Sequence, residues 1–122
     1  MNTEEFRNLC LSMPCVTEDT PFDETTVVFR LEGKIFACIP TDQPMMVVLK
    51  CDESLALDLR ERYPSVEGAW HWNKIFLDGS VPDELLGNLI RHAYNEVRSK
   101  LPKKQRLEIR EQLPTVTEET FQ

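Results

Sequence analysis

Three runs rich in Val, Ile and Phe lie in the middle of the chain, at residues 26–31, 34–40 and 45–50. Apolar and polar side chains alternate along the first run, which is the period of a half-buried strand. Only Glu32 and Gly33 separate the first run from the second. A two-residue connection that ends in Gly favours a tight antiparallel hairpin. The centre of the chain is therefore predicted to be an antiparallel meander.

Helical periodicity flanks this meander on both sides. Asp52 is predicted to be an N-cap, because its short carboxylate can accept hydrogen bonds from the free amides of a first helical turn. Ser80 and Asp83 have capping-box spacing before the strongest apolar stripe, which extends to Leu101 and stops at Pro102. The predicted helices span residues 3–13, 52–62, 80–101, with Pro82 in the first turn, and 103–113.

Two further strands complete the predicted order. They are expected at residues 66–72 and 74–77, on either side of Asn73. The acidic stretch at residues 15–25 is expected to be an exposed turn or a short edge strand. The predicted order is one helix, three or four strands, one helix, two strands and two helices. We expect one domain at residues 1–113, followed by a polar tail at residues 114–122.

Composition limits the cellular setting. The chain has 14 Lys and Arg against 21 Asp and Glu, a formal net charge of −7, so as a whole it repels phosphate backbones. No apolar stretch approaches the roughly 18 residues of a membrane helix, and the amino-terminal MNTEEFRNLC is too acidic for a signal peptide. We therefore expect a cytoplasmic protein with no membrane partner and reduced, mostly buried cysteines. The cysteines are Cys10, Cys15, Cys38 and Cys51, with no zinc-site spacing.

Catalytic and metal-binding motifs give little support to an enzyme. There is no glycine-rich phosphate loop, nucleophile elbow or H-E-x-x-H motif, and His92 is expected at a helix surface or boundary. A Cys and His pair that forms only in the folded chain stays open as the enzymatic alternative. We predict a non-enzymatic protein without cofactor or bound metal. Metal binding by an acidic loop lacking calcium-loop spacing is the weaker alternative, through Glu18, Asp19, Asp23 and Glu24.

Six segments resemble the MmcQ/YjbR family over about residues 6–106. They read PCVTEDTPF from residue 14, LKC from 49, LRERYP from 59, HWNKIFLDG from 71, VPDE from 81 and LPKK from 101. The resemblance implies an α+β fold similar to frataxin-like CyaY proteins, with one antiparallel sheet of five or six strands and helices on one side. It also implies DNA binding through wing-like hairpins, and no firmly attached enzymatic activity. The hairpin at His71 is shorter than is usual in the family, which weakens that implication.

Two candidate binding elements follow from the residues and the resemblance. Residues 91–110 hold seven cations against two carboxylates, whereas the rest of the chain is strongly anionic. Such segregation suits attachment to phosphate, although a solvated helix end has the same composition. Trp72 with Asn73 and Lys74 can stack on bases and contact phosphates, or it can be a structural network. The predicted weak DNA-binding residues are Trp72, Asn73, Lys74, Arg98, Lys100, Lys103, Lys104 and Arg106.

The main alternative is a module that binds a protein or a small ligand on the helix-free face of the sheet. Trp70, Trp72, Met45 and Met46 are its expected apolar contacts. Exposed aromatic side chains on that face would favour this alternative, and charged side chains would count against it.

Overall fold

The computed structural model describes residues 1–20, 25–43 and 45–109. Within them, six strands form one sheet in the order β1-β2-β3-β4-β6-β5, and every neighbouring pair is antiparallel. This confirms the predicted α+β class, the element order and the meander. The elements are α1 (Thr3–Ser12), β1 (Val16–Asp19), β2 (Thr26–Leu31), β3 (Lys34–Pro40), β4 (Met46–Lys50), α2 (Glu53–Arg62), β5 (Glu67–Ala69), β6 (Trp72–Phe76), α3 (Asp83–Arg98) and α4 (Lys103–Glu108).

Side-chain caps explain where the first two helices begin. Asn2 Oδ1 accepts a hydrogen bond from the Glu5 amide at 2.8 Å, and Glu5 Oε1 accepts one from the Asn2 amide at 3.2 Å. This reciprocal pair is a capping box that satisfies two amides of α1. Asp52 Oδ2 accepts from the Leu55 amide at 3.2 Å, which confirms the predicted N-cap of α2.

The capping box predicted for α3 is wrong. Pro82 is the N-cap residue of this helix and offers no side-chain acceptor. Ser80 is two positions too early, and its amide instead donates to Asp78 Oδ1 at 3.0 Å. The helix also ends at Arg98 rather than running to Leu101, which is buried after a final turn. Residues 110–113 of the last predicted helix and the predicted tail lie outside the described residues.

The turn between the last two strands is also misplaced in the prediction. It consists of Trp70 and His71, and Asn73 lies inside β6 opposite Gly68. Gly68 has a φ of 156°, and a Cβ there would lie 2.1 Å from the Trp72 carbonyl oxygen. Only glycine therefore allows the two strands to approach this closely. The aromatic run around Trp70 hid this turn, because it lacks the usual turn residues.

Strand register assigns the side chains to two faces of the sheet. Phe29, Ala37, Leu49 and Asn73 form one row of paired residues, and their face contributes to the core with apolar residues of α1, α2 and α3. The adjacent positions form the opposite row, which contains Val28, Cys38, Val48 and Lys74. The helices α1, α2 and α3 thus pack on one side, as the family resemblance implied.

An aromatic contact anchors α3 to this sheet. The rings of Phe36 and Tyr94 meet edge to face, with centroids 5.8 Å apart, and both side chains are completely buried. Tyr94 Oη donates to the Pro14 carbonyl oxygen at 2.8 Å, which also connects α3 to the segment between α1 and β1. The position of the carboxyl end of α3 depends on this packing.

Candidate nucleic-acid interface

Two hairpin turns and the end of α3 meet at one end of the sheet. Antiparallel register places the Glu32–Gly33 turn, the end of β4 and the Trp70–His71 turn at that end. The Cys51 amide donates to the His71 carbonyl oxygen at 2.7 Å, which fixes the second turn against β4. Gln105 Nε2 of α4 lies 3.5 Å from Glu32 Oε2 of the first turn. The predicted basic segment therefore reaches the same end as the predicted wing.

Lys34 and Lys100 lie close enough to Lys50 for their charges to act on it, and these three residues are called the lysine cluster below. Partial burial lowers the pKa of Lys50, and the positive charges of Lys100 and Lys34 lower that pKa further, whereas Glu96 raises it. The three ammonium groups come from β3, β4 and the turn after α3. An anionic ligand that bound here would relieve their mutual repulsion.

The predicted wing residues Trp72, Asn73 and Lys74 do not share one surface. Trp72 and Lys74 lie on the helix-free face, where Lys50 is the register partner of Trp72. Lys50 Nζ is 5.9 Å from the centroid of the Trp72 ring, a cation–π distance. Asn73 points to the opposite face and is only 1% exposed. Strand geometry explains this division, since successive side chains of a strand point to opposite faces of the sheet.

Asn73 belongs to a buried polar network rather than to the surface. Its Oδ1 accepts from Arg60 Nη1 at 2.7 Å, and its Nδ2 donates to the Ala56 carbonyl oxygen at 3.3 Å. Both bonds connect β6 to α2. The structural reading that the sequence left open for this residue therefore fits its surroundings.

The Asn73→Ala variant is expected to lower the free energy of unfolding by about 1–3 kcal/mol, since the Ala56 carbonyl loses a buried hydrogen bond and Arg60 a part-buried one. Chemical denaturation measures this change. Lys74→Ala, at the exposed neighbouring position, is the control and is expected to change stability by less than about 0.5 kcal/mol. Equal effects of the two substitutions would contradict the network.

Most of the predicted basic residues are exposed at the end of α3 and on α4. Lys100, Lys103, Lys104 and Arg106 are exposed, whereas Arg98 is half-buried and its Nε atom has no hydrogen-bond partner. In residues 1–20, 25–43 and 45–109, the ion pairs involve none of these five side chains. Acidic side chains of the described residues therefore do not neutralise this basic surface by direct contact. Arg110, the last cation of the predicted run, lies outside the described residues.

Sequence reasoning missed two residues at this end, Lys34 and Lys50. Lys34 follows the predicted turn at Gly33, so its position at the end of the sheet could have been predicted from the sequence. Lys50 required the β4–β6 register, which the misplaced turn concealed. Trp70 was considered as an apolar contact, but it is 75% exposed at the tip of the β5–β6 hairpin.

The helix-free face gives little support to the apolar-contact alternative. Val28 on this face is fully buried, and Cys38 and Val48 are half-buried. Met46 also lies there and is buried, whereas Met45 is exposed at the preceding position. Charged side chains occupy the same face, among them Arg30, Lys50 and Lys74.

The acidic loop forms ion pairs in its described part. Arg7 makes two hydrogen bonds to Glu18, and Arg30 Nε donates to Asp19 Oδ2 at 3.1 Å. Asp23 and Glu24 lie outside the described residues. Across the described part of the chain, no three His, Cys, Asp or Glu side chains converge as a metal site.

The four cysteines are free and differ in burial. Cys10 and Cys51 are buried, Cys38 is half-buried and Cys15 is exposed, so only part of the predicted burial is confirmed. Burial, with a smaller effect of Asp52 and Glu96, raises the pKa of Cys51 to about 12 against the lowering effect of Arg60. Its thiol is therefore protonated near neutral pH and is a poor nucleophile.

His92 is buried, which corrects its predicted position at a helix surface or boundary. Its Nε2 accepts a hydrogen bond from the Asp52 amide at 3.0 Å, at the N-cap of α2. Its Nδ1 is buried, with no hydrogen-bond partner in the described chain. Burial lowers the pKa of His92, although Glu96 and Asp52 raise it. The helical stripe did not reveal this burial, because His92 lies next to the half-buried Arg91.

We expect the free energy of unfolding to fall as the pH is lowered through about 6.5. The pKa of His92 is depressed in the folded chain, so the unfolded chain binds more protons there and gains stability relative to the fold. Urea denaturation at about pH 7.5 and about pH 5.5 measures this change. His92→Gln retains a hydrogen-bond acceptor but does not titrate. This variant is expected to show a smaller change in the free energy of unfolding between the two pH values. An identical change in both proteins would contradict this role of His92.

No helix within the described residues is long and apolar enough to cross a membrane. The fold and the interface define a small α+β protein with one antiparallel sheet, helices on one face and cations beside a tryptophan hairpin. The chain belongs to the YjbR family, whose family model matches residues 11–96.

Named relatives agree with this assignment. The chain is similar to YjbR of Escherichia coli K12, with 26% identity over 112 residues that cover 87% of this chain and 95% of that protein. It is also similar to YbdF of Escherichia coli O157:H7, with 28% identity over 113 residues, 88% of this chain and 93% of that protein. The crystal structure of Deinococcus radiodurans DR2400, a DUF419 domain, superposes with a TM-score of 0.83 at 32% identity, covering 96% and 92% of the two chains.

Proposed function

We propose that this protein binds nucleic acid weakly through the end of the sheet that carries the lysine cluster. The observation that carries the proposal is the strand register, which places Lys34 and Lys50 at the same end of the sheet, where the charge of Lys100 also acts on Lys50. Phosphate contacts need several cations within one surface, and this arrangement supplies them.

The exposed basic residues of α4 extend this surface. Lys103, Lys104 and Arg106 are close in sequence to Lys100, and Gln105 lies 3.5 Å from Glu32, so α4 is near the same end of the sheet. Glu32 and Glu96 reduce the local positive charge, and the net charge of the whole chain is −7. Weak binding that depends strongly on salt is therefore the expected behaviour.

Fluorescence anisotropy of labelled DNA tests the proposal. At low salt, single-stranded and duplex oligonucleotides are expected to bind, and affinity is expected to fall steeply when the salt concentration is raised. Labelled polyglutamate is the control for general attraction of an anion, since it carries negative charge without phosphates or bases. Absence of binding at low salt would overturn the proposal.

A further inference from the structure

The most exposed large apolar side chain of the described residues occupies a strained position. Trp70 is 75% exposed and has a φ of 55°. It is the first residue of a two-residue hairpin turn, a place where a positive φ favours Gly, Asn or Asp. A bulky aromatic residue there costs free energy that a glycine would avoid.

This strain has no compensation in core packing. The Trp70 side chain is mostly in solvent, whereas the half-buried Trp72 lies under the Lys50 ammonium group. The turn itself is held firmly, because the His71 carbonyl accepts from the Cys51 amide beside Lys50. The backbone thus places Trp70 in the turn beside the end of β4, which carries Lys50, with its indole ring exposed to solvent.

We infer that Trp70 is a stacking platform for an unpaired base, and that the preferred ligand of this protein is single-stranded nucleic acid. The inference rests on the proposed function and names its ligand class. An exposed indole beside cations can stack on a base while the lysines contact the flanking phosphates. In a duplex, neighbouring base pairs already cover the faces of the bases, so Trp70 gains no such contact.

Replacing Trp70 by glycine relieves the backbone strain and removes the indole ring, so it separates an effect on binding from an effect on stability. Trp70→Gly is expected to weaken binding of oligothymidylate about tenfold, since one stacked base is lost. Its affinity for a duplex of equal length is expected to stay within about twofold, because the lysines are unchanged. Its thermal midpoint is not expected to fall, because glycine suits a positive φ. Trp70→Phe retains an aromatic face and is expected to restore most of the affinity.

Intrinsic fluorescence gives a direct readout, since the chain has only two tryptophans. In Trp72→Phe, Trp70 is the remaining indole, and oligothymidylate is expected to quench it. Inorganic polyphosphate, which has phosphates but no bases, is the control and is expected to leave the fluorescence nearly unchanged. Quenching by oligothymidylate, together with the weaker oligothymidylate binding of Trp70→Gly, supports the inference.

The outcomes distinguish this inference from the proposed function. If Trp70→Gly binds oligothymidylate as tightly as the parent protein, the stacking role is wrong, while salt-dependent binding can still support the proposed function. If neither single strands nor duplexes bind at low salt, both proposals fail. Tighter binding of duplex than of single strand also overturns the inference.

Discussion

Reversing the charges of Lys50 and Lys100 together, with Lys50→Glu and Lys100→Glu, is expected to weaken single-stranded DNA binding at low salt by about 100-fold. Each lysine is assigned one charge-assisted phosphate contact, and the loss of two such contacts removes about 3 kcal/mol. Lys50 and Lys100 lie on different elements but influence each other electrostatically. Anisotropy titration of labelled oligothymidylate measures this effect.

A matched control keeps the same net charge while sparing the lysine cluster. Arg62 lies in the last turn of α2, and Arg91 lies two turns before the end of α3. The double variant with Arg62→Glu and Arg91→Glu is expected to lose less than about threefold in affinity, because long-range charge effects are screened. Equal losses in the two double variants would mean that net charge, rather than this surface, controls binding.

The Phe36→Ala variant is expected to lower the free energy of unfolding by about 3–5 kcal/mol. Phe36 is completely buried, and its ring meets Tyr94 edge to face at 5.8 Å. The substitution removes this aromatic contact and leaves a cavity between β3 and α3. Chemical denaturation with urea measures the change. Loss of the contact with Tyr94 is also expected to disturb the position of Lys100 relative to Lys50.

An exposed residue of similar hydrophobicity is the control for this stability effect. Leu107 on α4 is 70% exposed, so Leu107→Ala is expected to change the free energy of unfolding by less than about 0.5 kcal/mol. A loss of less than about 1 kcal/mol in Phe36→Ala would contradict the packing described for α3.

Much of the fold was predictable because it depends on local patterns. The Glu32–Gly33 turn fixed the first hairpin, and alternating apolar residues fixed its faces. Asp52 was correctly predicted as an N-cap because its short side chain acts within its own first turn. The start of α3 was not predictable in this way, since Pro82 takes the N-cap position without a side-chain hydrogen bond.

The candidate site was only partly predictable because it depends on register. The sequence showed the cations of residues 98–106 and the tryptophans, but not the place of Lys50 between them. The prediction grouped Asn73 with Trp72 and Lys74, whereas the pleat of β6 turns Asn73 into the core. The buried position of His92 was missed for a similar reason, as tertiary packing determines it.

The central claim is that the lysine cluster contacts phosphates, and the salt dependence of binding tests it most directly. For single-stranded DNA, the slope of log K against log salt concentration decreases in magnitude by about 0.7 for each phosphate contact that is lost. Neutralising Lys50 and Lys100 as Lys50→Gln with Lys100→Gln is therefore expected to decrease this slope by about 1.4. A slope equal to that of the parent protein would contradict phosphate contacts at the lysine cluster.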